Sequence, residues 1–143
     1  MSHFDKIWWL EEGVIGGMRK PEIEDIPELY ENGLEAVASF LEKPDNLDEY
    51  KANNIEYCWI PVKDDEAPSK EQVEEFSAFA DEMKKRNKTL AVHCKGGNGR
   101  AGTMLAGHFI LKGRPAQEVL DWMRSINPKA VSTKTQEDFL KSL

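Results

Sequence analysis

A thiol, a run of glycines and a guanidinium lie together in the stretch AVHCKGGNGRAGT, residues 91–103, where Lys95, Gly96, Gly97, Asn98 and Gly99 separate Cys94 from Arg100. Glycine-rich turns that open helices hold phosphate, because backbone N–H groups free of side chains converge on an anion at a helix N-terminus. A nucleotide-binding loop of that kind closes in Gly-Lys-Ser/Thr. Here the closing residues are Ala101-Gly102-Thr103, with no lysine before the threonine. What remains is a phosphate cradle with a nucleophile at its floor. Attack of sulfur on phosphorus brings an ionised thiol against an anionic ester, so the site must supply positive potential. The loop amides, the dipole of a helix starting near Arg100, and Arg100 itself, which can fork two hydrogen bonds onto phosphate oxygens, are three sources of it. In electropositive surroundings a cysteine moves from a pKa of about 8.5 into the range of roughly 3.5–7.5.

His93-Cys94-x5-Arg100 between a predicted strand and a predicted helix resembles the signature of the protein tyrosine phosphatase superfamily. Its mid-chain position, with a short helical region after it, is similar to the dual-specificity branch. Low-molecular-weight tyrosine phosphatases carry the signature near the N-terminus and fit poorly. Three more segments carry the resemblance in the same order. GVIGGMRKP resembles the early segment of small archaeal and vertebrate atypical dual-specificity phosphatases, IPVKDDEAPSKEQV their acid loop and following helix, and NPKAVSTKTQEDFL their C-terminal stretch with its glutamine. The resemblance implies an α/β fold with a mostly parallel central sheet of about five strands flanked by helices. It implies a metal-independent phosphoric monoester hydrolase that works through a phosphocysteine on Cys94 and needs no cofactor. Phosphorylated proteins or peptides are the implied substrates, and phosphate, vanadate or sulfate the implied active-site anions.

Expelling an alkoxide or phenolate from phosphorus requires a proton on the leaving oxygen, so a carboxylic acid should face the thiol. Asp64, Asp65 and Glu66 are the candidates. In the segment resembled, the acid stands four residues before the proline, which selects Asp64 ahead of Pro68; some branches place it three before, which selects Asp65. Asp64 is favoured. Gln136 matches the glutamine that orients the attacking water, a role that a neutral amide can fill without repelling an anion. The loop residues Lys95 to Gly99 are implied to bind substrate together with Arg100, with His93 and Thr103 supporting the cradle. Arg19, Lys20, Lys63 and Lys95 either ring the pocket or are solvated. One departure stands out: Ala101 occupies the position where most relatives carry a serine or threonine whose hydroxyl helps sulfur leave the phosphocysteine. Alanine also occurs there in the slow phosphatases associated with regenerating liver.

The elements that must position these residues are legible as alternating signals. KIWWL and GVIGGM read as strands, EDIPELYENG as a short helix stopped at Asn32-Gly33, and AVASFL (36–41) as a buried strand. PDNLDEYKANN offers a second short helix and IEYCWIPV (55–62) another strand. The clearest helix is 70–87, capped by Ser69, with Val73, Phe76, Ala80 and Met83 at helical spacing and acids early, bases late. TLAVH is a strand, 100–111 a helix stopped by Gly113, and two helices follow, Pro115 to Ile126 and roughly 133–143. Trp8 and Trp9 alternate faces, so one is core and the other a wall. His108 reads as a residue satisfying a local hydrogen bond and Cys58 as buried packing, onto which the protective disulfide of some relatives is not carried.

With 143 residues, 40% of them hydrophobic, and no apolar run of membrane length, the chain is expected to form one catalytic domain over 1–143. Two cysteines make no disulfide framework, and no signal-peptide pattern is read at the start, so a cytoplasmic monomer is expected. A net charge of −7 argues against nucleic acid or an anionic membrane as the partner of the surface as a whole. Three functions are compatible with these features. A phosphotyrosine phosphatase, extending to phosphoserine and phosphothreonine, leads. A phosphoinositide or small-molecule phosphatase is suggested by Lys95 within the loop, and a slow-turnover phosphate-binding module by Ala101.

Overall fold

Leu90-Ala91-Val92-His93 form the central strand, and all four are buried. A strand apolar on both faces must be covered by helices on both sides, the mark of a parallel sheet. The computed structural model, which describes residues 2–143, has that architecture. The elements run β1 (Trp8–Glu11), β2 (Ile15–Met18), α1 (Ile26–Glu31), β3 (Ala36–Ser39), α2 (Leu47–Ala52), β4 (Glu56–Trp59), α3 (Lys70–Lys85), β5 (Leu90–His93), α4 (Gly99–Leu111), α5 (Ala116–Ile126) and α6 (Lys134–Ser142). Two short 3₁₀ turns, Phe4–Lys6 and Ile23–Asp25, were not anticipated. The sheet order is β1-β2-β5-β3-β4, with β1 antiparallel to β2 and the other pairs parallel.

Side-chain alternation assigns the two faces. Leu90 and Val92 join Ala36, Ala38 and Ile15 in a core with Val73, Phe76, Met104, Leu105, Val119 and Leu140 of α3 to α6. Ala91, Val37 and Met18 face the other way, onto Ile26, Leu29, Leu47 and Tyr50 of the two short helices. Register does the rest. Met18 and Ser39 both pair with His93, and Trp59 pairs with Ser39, so four strands end level. The segments that follow them (from 19, 40, 60 and 94) therefore leave the sheet at one edge, the carboxyl end where α/β ligands bind.

Helix limits follow their caps. Ser69 Oγ accepts from Gln72 N at 3.1 Å to start α3. The helix stops short of 87 because Asn87 turns left-handed, with φ 56°, and Lys88 N donates to Met83 O at 2.8 Å. Strands β3 and β4 are four residues each, shorter than the apolar runs 36–41 and 55–62. Beyond Ser39 and Trp59 the two segments stay joined, Val62 N donating to Phe40 O at 3.1 Å, and the carbonyls of Phe40 and Val62 also accept from Arg100.

Candidate active site

The loop after β5 is held by its carbonyls. Cys94 O accepts from His93 Nδ1 at 3.1 Å, Lys95 O from Lys20 N at 3.0 Å, and Gly97 O from Trp8 Nε1 at 3.0 Å. Asn98 O accepts from both Val131 N and Gly102 N at 3.1 Å. In a trans peptide the N–H of the next residue points opposite to each of these carbonyls. The amides of Lys95, Gly96, Asn98 and Gly99 are thereby turned inward, and among the described residues those of Lys95 to Asn98 donate to no protein group. Gly97 makes the bend at φ 82°, where a side chain would overlap the Met18 carbonyl and the Arg19 amide.

His93 is fully buried and its orientation is fixed on both nitrogens. Since Nδ1 must donate to the Cys94 carbonyl, Nε2 accepts from the Tyr50 hydroxyl at 2.7 Å. Burial lowers the His93 pKa to about 4, so the ring is neutral at physiological pH, as this pattern requires. Asn46 Nδ2 donates to Tyr50 at 3.4 Å and to Pro21 O at 2.9 Å, extending the chain to the far helices. Neither Tyr50 nor Asn46 was singled out from sequence; only their place on a predicted helix was legible.

Cys94 and Arg100 line one cavity of about 710 Å³ with Asp64, Lys95, Gly96, Asn98 and Gly99. Arg100 is only 5% exposed. Its Nη1 donates to Val62 O at 2.9 Å and to Phe40 O at 3.4 Å, which fixes the plane of the guanidinium. Its Nε is buried with no hydrogen-bond partner, 3.6 Å from Asp64 Oδ1. A buried cationic N–H beside inward-facing amides is what a tetrahedral oxyanion satisfies.

The acid segment is a turn, Glu66 N donating to Lys63 O at 3.1 Å, with Asp65 in the left-handed region at φ 64°. That geometry directs Asp64 to the cavity, while the Asp65 carbonyl accepts from Thr133 Oγ1 at 3.2 Å. Gln136 holds the same turn, its Nε2 donating to Glu66 O at 3.2 Å. The Gln136 oxygen already accepts from Ser132 N at 3.0 Å and Thr133 N at 3.2 Å, the reciprocal half of the capping box that opens α6. Thr103 Oγ1 donates to Gly99 O at 2.6 Å, one turn back along its own helix.

Lys95, Lys129 and Arg124 rim the cavity; Lys20 is instead paired with Asp45 at 3.0 Å. Arg124, missed in the sequence, donates to Ala130 O at 3.1 Å and Val131 O at 2.9 Å, and Asn127 Nδ2 donates to Asn98 Oδ1 at 2.9 Å. These bonds clamp the 127–132 segment onto the loop. Trp8 is the wall and Trp9 the residue packed toward the α1/α2 face. His108 Nδ1 meets Ser77 Oγ at 2.7 Å, the local bond expected of it. Burial pushes the Cys58 thiol up to about 12. Another cavity, of about 690 Å³, opens near Ile15 and Leu90 at the opposite end of the sheet and contains no cysteine. Among the described residues no cluster of His, Cys, Asp or Glu is placed to hold a metal ion, and no helix is long and apolar enough to cross a membrane.

A thiol at the floor of an amide cradle, between the central strand of a parallel sheet and a helix that carries a buried arginine, is the arrangement of the tyrosine and dual-specificity phosphatase class. Residues 14–114 match the family described as "Polymorphic toxin system, DSP-PTPase phosphatase", and the chain belongs to that family. It is 29% identical over 117 residues to the tyrosine-protein phosphatase CDC14 of Candida albicans, covering 81% of this chain and 22% of that protein. It is 28% identical over 137 residues to the phosphatidylglycerophosphate phosphatase PTPMT1 of Arabidopsis thaliana, covering 90% of this chain and 40% of that protein. The chain thus spans less than half the length of either curated relative. In structure it is similar to Tk-PTP in its active form, with a TM-score of 0.87 and 30% identity over 96% of this chain and 95% of that one.

Proposed function

We propose that residues 1–143 form one catalytic domain that hydrolyses phosphotyrosine monoesters in proteins or peptides, with phosphoserine and phosphothreonine as the wider range. The observation that carries this reading is the buried Arg100 Nε, without a hydrogen-bond partner among the described residues and 3.6 Å from Asp64 Oδ1, set beside the inward amides in the cavity of Cys94. In the first step the Cys94 sulfur bonds to phosphorus as the P–O bond to the leaving group breaks, and Asp64 gives that oxygen its proton. Arg100 and the amides of residues 95–99 hold the three equatorial oxygens throughout. In the second, water attacks phosphorus, Asp64 takes a proton from it, and the S–P bond breaks to release phosphate. Gln136 enters as a positioning residue: its tie to Glu66 sets the acid turn, and its second Nε2 hydrogen is the part left for water.

The test is Cys94→Ser, which should abolish turnover of a phosphotyrosine peptide yet leave phosphate binding in place, since amides and arginine remain. Arg100→Lys should damage binding and rate together, because a point charge does not reproduce the planar fork. Turnover that survives in Cys94→Ser sinks the covalent mechanism, and loss of activity on chelation, restored by a metal, would move the protein to another class of hydrolase.

The second reading, a phosphoinositide or other small phosphomonoester as substrate, is favoured by the rim cations Lys95, Lys129 and Arg124 and by the likeness to a protein named for phosphatidylglycerophosphate. Rates on a panel of phosphopeptides and phosphoinositides at equal concentration separate the two.

A further inference from the structure

Beside the cavity of Cys94, and not lined by that residue, lies a recess of about 270 Å³ lined by Lys6, Trp8, Arg19, Ile126, Gly96 and Asn98. Because Gly96 and Asn98 also line the cavity of Cys94, the two hollows are contiguous at those residues. Among the described residues, the ionisable side chains that line the recess, Lys6 and Arg19, are both cationic. Neither Lys6 nor Arg19 is ion-paired among the described residues, whereas the adjacent Lys20 is neutralised by Asp45. In the cavity of Cys94, Lys95 and Lys129 are also unpaired, in a protein of net charge −7.

The walls are fixed in place. Trp8 is pinned by its indole N–H to Gly97 O, the Arg19 backbone packs against Gly97, and Lys6 closes a 3₁₀ turn that leads directly into β1. Ile126, 38% exposed, gives the recess a second apolar edge beside the indole. Two cations and two apolar side chains in a recess that shares Gly96 and Asn98 with the cradle suit a ligand whose short carbon skeleton joins two anions.

We propose that the recess is a second anion subsite, and that among phosphomonoesters the enzyme prefers those bearing a second phosphate on the same molecule. The scissile phosphate sits in the cradle and the other on Lys6 and Arg19, with the skeleton across Trp8. The inference rests on the phosphatase reading for the role of the first site only.

Alkanediol bisphosphates from propane to hexane, compared with the matched alkyl monophosphates, act as a ruler in calorimetry on the Cys94→Ser protein. The best-fitting bisphosphate should bind on the order of tenfold tighter, the size of one hydrogen bond to a charged group. Adding Lys6→Ala and Arg19→Ala should bring that ratio to about one, and Arg19→Glu alone should push it below one. No gain at any length, or an equal loss for both ligands in the variants, overturns the subsite. With wild-type protein, glycerophosphoinositol 5-phosphate in solution and phosphatidylinositol 5-phosphate in phosphatidylcholine vesicles distinguish a free phosphate from a lipid headgroup. A preference for either, abolished by the Lys6/Arg19 pair, supports the subsite and names its source. Tighter bisphosphate binding with no hydrolysis of any monoester would overturn the phosphatase reading and leave the subsite standing.

Discussion

Ala101 puts a methyl group directly after Arg100, fully buried, where most of the resembled phosphatases carry a hydroxyl. Thr103, the nearest hydroxyl along the helix, has its proton committed to Gly99 O. In the proposed mechanism, formation of phosphocysteine does not need that hydroxyl; its breakdown, in which sulfur leaves with the bonding electrons, is the step the hydroxyl would assist. A hydrogen bond to a charged group contributes about 1.5–3 kcal/mol, or roughly a 10- to 100-fold slower second step. Rapid mixing with an aryl phosphate should therefore release close to one equivalent of phenol in a burst, followed by a slow steady state. Ala101→Ser should raise the steady rate and shrink the burst; absence of both effects would make the alanine neutral. The acid is tested beside it. Asp64→Asn should lower the rate by roughly 10²–10⁴-fold, most for alkyl esters with poor leaving groups, while Asp65→Asn stays close to wild type. The reverse result would place the acid at Asp65, against the geometry of the 63–66 turn.

At the scale of elements, the cradle is an arrangement that its neighbours impose. Strand β1 supplies Trp8 to the Gly97 carbonyl, the segment before α6 supplies Val131 N to Asn98, and α6 itself holds the acid turn through Thr133 and Gln136. Trp8→Phe keeps the aromatic wall and removes one neutral bond, which is worth about 1 kcal/mol. The freed Gly97 carbonyl can then turn inward, so phosphate affinity should drop several-fold while β1 still pairs with β2; unchanged affinity, measured by calorimetry, would leave Trp8 as packing only. Gln136→Leu should lower kcat more for alkyl than for aryl esters, the signature of a misplaced acid, and an equal loss for both would remove it from that role. The sequence made the loop and the helix limits visible because those signals are local: a cap at Ser69, glycines around Cys94, Asn127-Pro128 as a break. The tethers were not visible. Tyr50 and Arg124 meet the loop's histidine or its clamp through contacts distant in sequence or around a bend, Asn46 stands behind Tyr50, and no periodicity encodes which face of a helix a distant carbonyl will reach. Gln136 was found by resemblance, but its part in a capping box was not, although Thr133-x-x-Gln136 carries that spacing.

For the molecule as a whole, three buried histidines, His3, His93 and His108, set an acid limit, burial lowering the pKa of each. Burial lowers both His93 and His108 to about 4, against an ordinary 6.5. Between those values the unfolded chain takes up protons that the folded one refuses, so stability is full above pH 6.5 and falls as pH drops toward 4. His93 and His108 each contribute about 3 kcal/mol to that loss at its limit. Glu56, held down to about 2 by Arg86 and Lys88, acts in a lower window, from 4.5 toward 2, and its exposure keeps its share small. Urea midpoints should decline from pH 7 to pH 4.5, and His108→Gln should remove part of the slope, His3 and His93 carrying the rest; a flat profile would contradict the burial argument. The outward ties of the loop carbonyls have one more consequence. Trp8 and Gly97 are 89 residues apart, Tyr50 and His93 are 43 apart, and the clamp on Asn98 comes from beyond α5. A glycine-rich loop closed by such distant partners is not a local nucleation site, because chain closure must precede every contact that shapes it. During refolding, then, anion binding should be acquired last, after helicity and sheet fluorescence have recovered, and it should be the first property lost when either end of the chain frays.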